Sequence, residues 1–205
     1  MGGAIGDGFR TVPLGPSFTD ATSNTRARIG NHTPYAEFNT RCDPESAQNI
    51  FRNPMLKAKT VLIPLDVTHQ ALATSEIQNL VLHGNLDHRS KPSIVRRMYH
   101  DLLMFFAKTY EKVFELNDGP PLHDPIAVAA LLHGHPDPEL SVSFDDRGGE
   151  RWEVNVVLEG AEMGRTKIEP ATTGVMVPRS LDLITFWHVL NQCLDRADEC
   201  RENEQ

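Results

Sequence analysis

The chain has 205 residues, 40% hydrophobic and 23% charged, with a formal net charge of −8; this composition fits an ordinary globular domain and excludes collagen-like, coiled-coil and disordered classes. A single domain of this length can bury a core without disulfide or metal staples. The acidic balance argues against a nucleic-acid partner, which needs a concentrated basic surface: the densest basic stretch (Arg96, Arg97, Lys108, Lys112) is interleaved with Asp101, Glu111 and Glu115 and reads as a solvated helix face.

Residues 1–30 are expected to be a flexible Gly/Pro loop. Gly2, Gly3, Gly6, Gly8, Pro13, Gly15 and Pro16 precede a polar stretch over 19–25, and no helical or strand period shows. No basic stretch followed by an apolar one marks a signal peptide, and no apolar run is long enough to span a membrane. An α/β body is predicted over 31–198. Asp43 followed by Pro44 predicts a capped helix to about Arg52, with Ala47, Ile50 and Phe51 at helical spacing. The run Thr60–Leu65 is apolar and β-branched, as in a buried strand. A helix is predicted over Thr74–His83.

The longest predicted helix covers Ser93–Leu116. Ile94, Met98, Leu102, Phe105, Phe106, Tyr110, Val113 and Phe114 make a stripe at spacings of three and four. Asn117-Asp118-Gly119-Pro120-Pro121 ends it. His123-Asp124-Pro125 opens the next helix, with Asp124 as its cap. Leu140–Phe144 alternates weakly and Trp152–Leu158 clearly, with Trp152, Val154, Val156 and Leu158 on one face. Val175–Val177 is a further short strand. A closing helix covers Leu181–Ala197 with Leu183, Phe186, Trp187, Leu190, Cys193 and Leu194 inward. Residues 199–205 form a polar tail. Interleaved strands and helices predict an α/β fold with a mostly parallel sheet flanked by helices, in which ligands bind at the carboxyl ends of strands. Cys42, Cys193 and Cys200 lack C-x-x-C spacing; they read as reduced thiols in a cytoplasmic setting.

Three polar clusters could carry chemistry. In Gly30–Asn39, Glu37 and Asn39 are two apart and would point the same way on an extended segment. A carboxylate beside an amide can grip neighbouring sugar hydroxyls, although spacing alone also fits a loop of turn formers. His123 and Asp124 at a helix start offer a general acid and a metal or hydroxyl ligand, against a simple capping role for Asp124. Asp66-Val67-Thr68-His69-Gln70 follows a predicted strand, where Asp66 or Thr68 could equally cap the next helix.

Together these segments resemble the inosine-uridine-preferring nucleoside hydrolase family of fungal type. The matching stretches are Met1–Ala4, GNHTPYAEFN (Gly30–Asn39), CDPESAQNIF (Cys42–Phe51), PLDVTHQ (Pro64–Gln70) and PLHDPIAVAALL (Pro121–Leu132), in the family's order. The resemblance implies hydrolysis of the N-glycosidic bond of purine or pyrimidine ribonucleosides to ribose and base. It implies that Met1, Asn31, Glu37 and Asn39 bind the ribose and that His123 assists departure of the base. It implies that Asp124 binds both the ribose and a Ca2+ ion. The family's D-x-D-x-x-x-D-D segment, which supplies most calcium carboxylates and the general base, is not among these residues. The chain therefore reads as the C-terminal portion of such an enzyme, with an incomplete calcium site and weak or no activity alone. A ribonucleoside is the implied substrate and a homo-oligomer a possible assembly. The competing reading is a non-catalytic ribose-binding or oligomer-partner protein that lost the metal.

Overall fold

Pro44 has its ring at the first helical position, where no backbone N–H is needed, and the Asp43 carboxylate just before it accepts the Ser46 N–H at 2.9 Å. That pair starts one of seven α-helices in a computed structural model that describes residues 2–3, 32–85, 91–114 and 117–202. Of the Gly/Pro loop expected over 1–30, Gly2–Gly3 is a short strand; Met1, residues 4–30 and Asn31 lie outside the described residues, as do 203–205 of the tail. The elements run β1 (Gly2–Gly3), α1 (Phe38–Cys42), α2 (Pro44–Arg52), β2 (Ile63–Pro64), α3 (Leu65–Thr68), α4 (Ser75–His83), α5 (Ile94–Phe114), α6 (His123–Ala129), β3 (Arg151–Val156), β4 (Thr166–Ala171) and α7 (Leu183–Glu202). The order is α/β. The chain forms two compact units, one from 1–70, 123–131 and 144–181, the other from 71–122, 132–143 and 182–205.

In the first unit the inward face of α2 meets one face of β3. Ala47, Phe51, Leu62, Val154, Val156, Val175 and Val177 form a buried cluster, with Trp152 and Ile168 packed on it. Burying a side chain of this size contributes about 1.5–3 kcal/mol, so this cluster anchors the unit. Polar contacts fix the register of helix on strand. Gln48 accepts the Val156 N–H through Oε1, Arg52 donates to Asn155 Oδ1 at 3.1 Å, and Lys57 pairs with Glu153 at 3.0 Å.

Strand pairing in this unit is both parallel and antiparallel. β1 runs parallel to β2, Gly2 opposite Ile63 and Gly3 opposite Pro64. β3 and β4 pair antiparallel from Arg151–Ala171 to Val156–Thr166. The alternation at Trp152–Val156 predicted β3, but β4 carries no apolar alternation and was not expected. Leu158, expected inward with β3, lies beyond its end and is exposed. The apolar run at 60–65 is a strand only at Ile63–Pro64; Val61 joins through a parallel bridge to Met176. Likewise Val175–Val177 is buried backbone bridged at Val175 to Trp152 rather than a strand of its own. Gly174 permits that approach, because a Cβ there would sit 2.3 Å from the Trp152 carbonyl oxygen.

In the second unit α4, α5 and α7 pack together around a buried cation. Arg96, read from sequence as part of a solvated face, is only 3% exposed. It donates to the carbonyls of Leu80 and Val81 at 3.2 and 2.8 Å, to Asn191 Oδ1 at 3.0 Å and to Asp195 at 2.6 Å. Asp198 lies 3.5 Å from its Nε. Leu80 and Val81 belong to the last turn of α4; the Leu80 carbonyl also accepts the Gly84 N–H at 2.7 Å, whereas a helix end leaves a carbonyl such as that of Val81 open. Arg96 therefore caps α4 and ties it to α7 with one guanidinium. The stripe of α5 turns the other way: Ile94, Met98, Leu102, Phe105 and Phe106 are all exposed. α7 starts two residues later than expected and takes 199–202 from the predicted tail. Cys193, expected inward, is exposed on it. No helix among the described residues is long and apolar enough to cross a membrane.

Candidate functional site

The segment leading into α1 is a hydrogen-bonded turn. Thr33 Oγ1 accepts the N–H groups of Tyr35 and Ala36 at 3.2 and 2.9 Å, and the N–H groups of His32 and Thr33 donate to the Ala36 carbonyl. The turn delivers Glu37 to the N-cap of α1. Its Oε2 accepts the N–H groups of Asn39 and Thr40 at 2.9 and 3.3 Å, and its Oε1 accepts Asn39 Nδ2 at 3.0 Å. The extended segment expected over Glu37–Asn39 is thus a helix start, because the carboxylate satisfies N–H groups that a helix leaves open. The two side chains still share one side, joined directly.

The chemistry of this pair follows from its donors. A carboxylate only accepts, so the Asn39 NH2 must face it and Asn39 Oδ1 is left to accept from elsewhere. Ionised Glu37 has about four lone-pair sites and uses three of them on these partners. One carboxylate site and one amide oxygen together match the two O–H donors of a sugar diol. Glu37 is 4% exposed, whereas Asn39 reaches solvent. Burial raises the Glu37 carboxyl above its ordinary value, opposed by the hydrogen bonds from Asn39 and Thr40. Across the chain, Gly164 closes on this segment: a Cβ there would meet Arg41 Cα at 2.8 Å and Ala36 Cβ at 3.1 Å.

The second part of the site lies on α3 and α6, which pack on each other and on β1, as α1 also does. α6 begins at His123 itself, so Asp124 stands in its first turn instead of capping it. Thr68 ends α3 and caps nothing. Its fully buried hydroxyl is 2.7 Å from His123 Nδ1 and 3.2 Å from the Leu65 carbonyl oxygen. The His69 ring lies 5.6 Å from the His123 ring. Burial, then the charge of His123, pushes the His69 pKa down to about 4. Burial also lowers His123, opposed by Asp124. Both rings are therefore biased toward neutrality. Gln70 donates to the carbonyls of Asp66 and Arg179, pinning the end of α3.

The residues described do not suit a calcium ion. Asp124 is an exposed carboxylate, and no group of three His, Cys, Asp or Glu side chains among the described residues is placed to hold a metal. Calcium takes 6–8 oxygens, so Asp124 supplies too few.

Of the residues singled out from sequence, Glu37 joins Asn39 and His123 stands beside Asp124 at the start of one helix; Met1 and Asn31 lie outside the described residues. Sequence reading missed Thr68 as a partner of His123. It stood among the candidate caps, and nothing in the local pattern connects it to a ring 55 residues later.

The family described as inosine-uridine preferring nucleoside hydrolase matches residues 1–188 of the chain. The uridine nucleosidase of Saccharomyces cerevisiae is 32% identical over 181 residues, which are 83% of this chain and 51% of the yeast protein. The inosine-uridine preferring nucleoside hydrolase of Leishmania major is 32% identical over 176 residues, covering 83% of this chain and 49% of that protein. Among solved structures, the purine-preferring ribonucleoside hydrolase from Gardnerella vaginalis superposes with a TM-score of 0.58 at 23% identity, over 80% of this chain and 49% of the other; this likeness concerns the fold. The chain spans about half the length of these relatives.

Proposed function

The chain belongs to the inosine-uridine preferring nucleoside hydrolase family, and from that premise we propose that it supplies the ribose-gripping and leaving-group side of a nucleoside N-ribohydrolase site. The observation that carries this is the Glu37–Asn39 pair, whose mutual hydrogen bond leaves two acceptors side by side. In this reading Glu37 and Asn39 accept from the ribose hydroxyls, joined by Met1, Asn31 and Asp124. The Glu37 carboxylate also favours the positive charge that builds on the sugar as the C1′–N bond lengthens. The bonding electrons leave with the base. Protonated His123 gives the Nε2 proton to a nitrogen of the departing base, water adds its oxygen to C1′, and the proton that water loses restores the ring.

The substrate class is a purine or pyrimidine ribonucleoside. The described residues do not decide between these bases. In complete relatives a Ca2+ ion would orient the water and the diol; here the carboxylates among the described residues fall short of a site for one. Base release by the 205-residue chain is therefore expected to be weak or absent. The assay is release of base from inosine and from uridine by the purified chain with calcium present. Turnover equal to that of a full-length relative would overturn the expectation. The incomplete donor set also favours a second reading, a ribose-binding or oligomer-partner protein without turnover; binding of inosine with no base release supports it.

A further inference from the structure

A hydroxyl has one hydrogen, and Thr68 Oγ1 has two neighbours within bonding distance, the Leu65 carbonyl oxygen at 3.2 Å and His123 Nδ1 at 2.7 Å. The carbonyl can only accept. If the hydroxyl donates to Leu65, it is left to accept from an N–H at His123 Nδ1, and both contacts are hydrogen bonds. If it donates to Nδ1 instead, two oxygens face each other at 3.2 Å with no hydrogen between them. The Leu65 carbonyl keeps the His69 N–H at 2.8 Å in either case, but Thr68 is 0% exposed, so water cannot replace the hydrogen bond that its hydroxyl forgoes in the second arrangement.

The Thr68 hydroxyl thus makes two hydrogen bonds with one tautomer and one with the other. We propose that Thr68 is a positioning residue that holds His123 as the Nδ1–H tautomer, so that every proton or hydrogen bond His123 exchanges with a ligand passes through Nε2. A neutral imidazole has one donor and one acceptor nitrogen, and the bond made by one sets the role of the other. With Nδ1–H fixed, Nε2 carries the lone pair in the neutral ring and the mobile proton in the charged one. The ring need not turn over between these states. The arrangement is rigid because Thr68 is the last residue of α3 and His123 the first of α6, two helices that pack on each other. A second ring, that of His69, lies 5.6 Å from the His123 ring. The role in base departure rests on the nucleoside hydrolase reading, whereas the tautomer itself does not.

The test is nitrogen-15 NMR of the whole chain labelled at histidine, with His123 assigned by its loss in His123→Gln. The expected result is protonated Nδ1 and bare Nε2 in the neutral ring. Thr68→Val keeps the shape and removes the acceptor; it should move the tautomer ratio by roughly tenfold toward Nε2–H, the scale of one buried hydrogen bond. Thr68→Ser restores the hydroxyl and should restore the native spectrum. An Nε2–H tautomer in the unaltered chain overturns the proposal, whatever becomes of the variants. So does a Thr68→Val spectrum that keeps the native tautomer. A chain that shows the expected tautomer but neither binds nor cleaves nucleosides refutes the functional reading and leaves this one standing.

Discussion

The Asn39 side-chain amide donates to Oε1 of Glu37 at 3.0 Å, while the backbone N–H of the same asparagine donates to Oε2 at 2.9 Å. One residue thus holds both oxygens of the carboxylate, and in the proposed function Glu37 combines a helix cap with a ligand grip. Glu37→Ala should remove both. Losing an N-cap costs about 0.5–2 kcal/mol, to be read as a lower urea midpoint without a change in slope. Asn39→Ala leaves the cap in place and removes the outward amide oxygen. It should weaken ribose binding with a smaller loss of stability than Glu37→Ala. Equal losses of stability in the two variants would contradict the division of roles.

Arg96 carries a heavier structural role. It serves two α4 carbonyls, Asn191 and Asp195 from a site 3% exposed. Arg96→Ala should destabilise by about 1–3 kcal/mol, the scale for leaving buried acceptors such as the Val81 carbonyl without their donor, since the Asp195 carboxylate is half-exposed and returns to water. Arg96→Lys should recover little, since an ammonium cannot reproduce the planar fork that reaches both helices. Thermal or urea unfolding followed by circular dichroism measures both variants.

Gly164 closes on the backbone beneath the Glu37–Asn39 pair at a φ of +87°. Gly164→Ala should cost roughly 1–2 kcal/mol for the left-handed backbone alone. The 2.8 Å approach to Arg41 Cα adds to this and should push α1 outward. The expected outcome is lower stability together with weaker ribose binding. A neutral effect on both would contradict the close packing.

His69 predicts a pH dependence. Its folded pKa of about 4 lies below the ordinary value of 6.5, so the unfolded chain binds the proton more tightly. Its stabilisation is complete above 6.5 and is lost as the pH falls from there toward 4. Between pH 7 and pH 5 the loss from this group is about 2 kcal/mol. Glu37 runs the other way: its raised pKa favours the folded state at low pH and is penalised as pH rises past its ordinary value. The measurement is therefore the difference in pH slope between the unaltered chain and His69→Gln. The variant should lose the decline over this window; parallel slopes would show that His69 is not held neutral.

Much of the architecture was legible where a local signal exists. Asp43-Pro44 marked the start of α2, and Trp152, Val154 and Val156 marked β3, because caps and alternation are properties of neighbouring residues. The resemblance of GNHTPYAEFN and PLHDPIAVAALL drew attention to Glu37, Asn39 and His123. What was not legible depends on contacts distant in sequence. Arg96 looked like a surface charge because helical periodicity places a side chain on a face without saying what covers it. β4 was missed because Thr166–Ala171 is held by its pairing with β3, not by apolar alternation. Thr68 was weighed as a cap, since its partner is brought to it only by the packing of α3 on α6.

In the proposed function this chain keeps a working ribose grip at Glu37 and Asn39. Isothermal titration of the purified 205-residue chain with inosine, beside Glu37→Ala and Asn39→Ala, tests it most directly. Saturable binding to the unaltered chain is expected, with a loss of about tenfold in each variant, the scale of one hydrogen bond to the sugar. No binding to a folded chain, or binding that both substitutions leave unchanged, would contradict it.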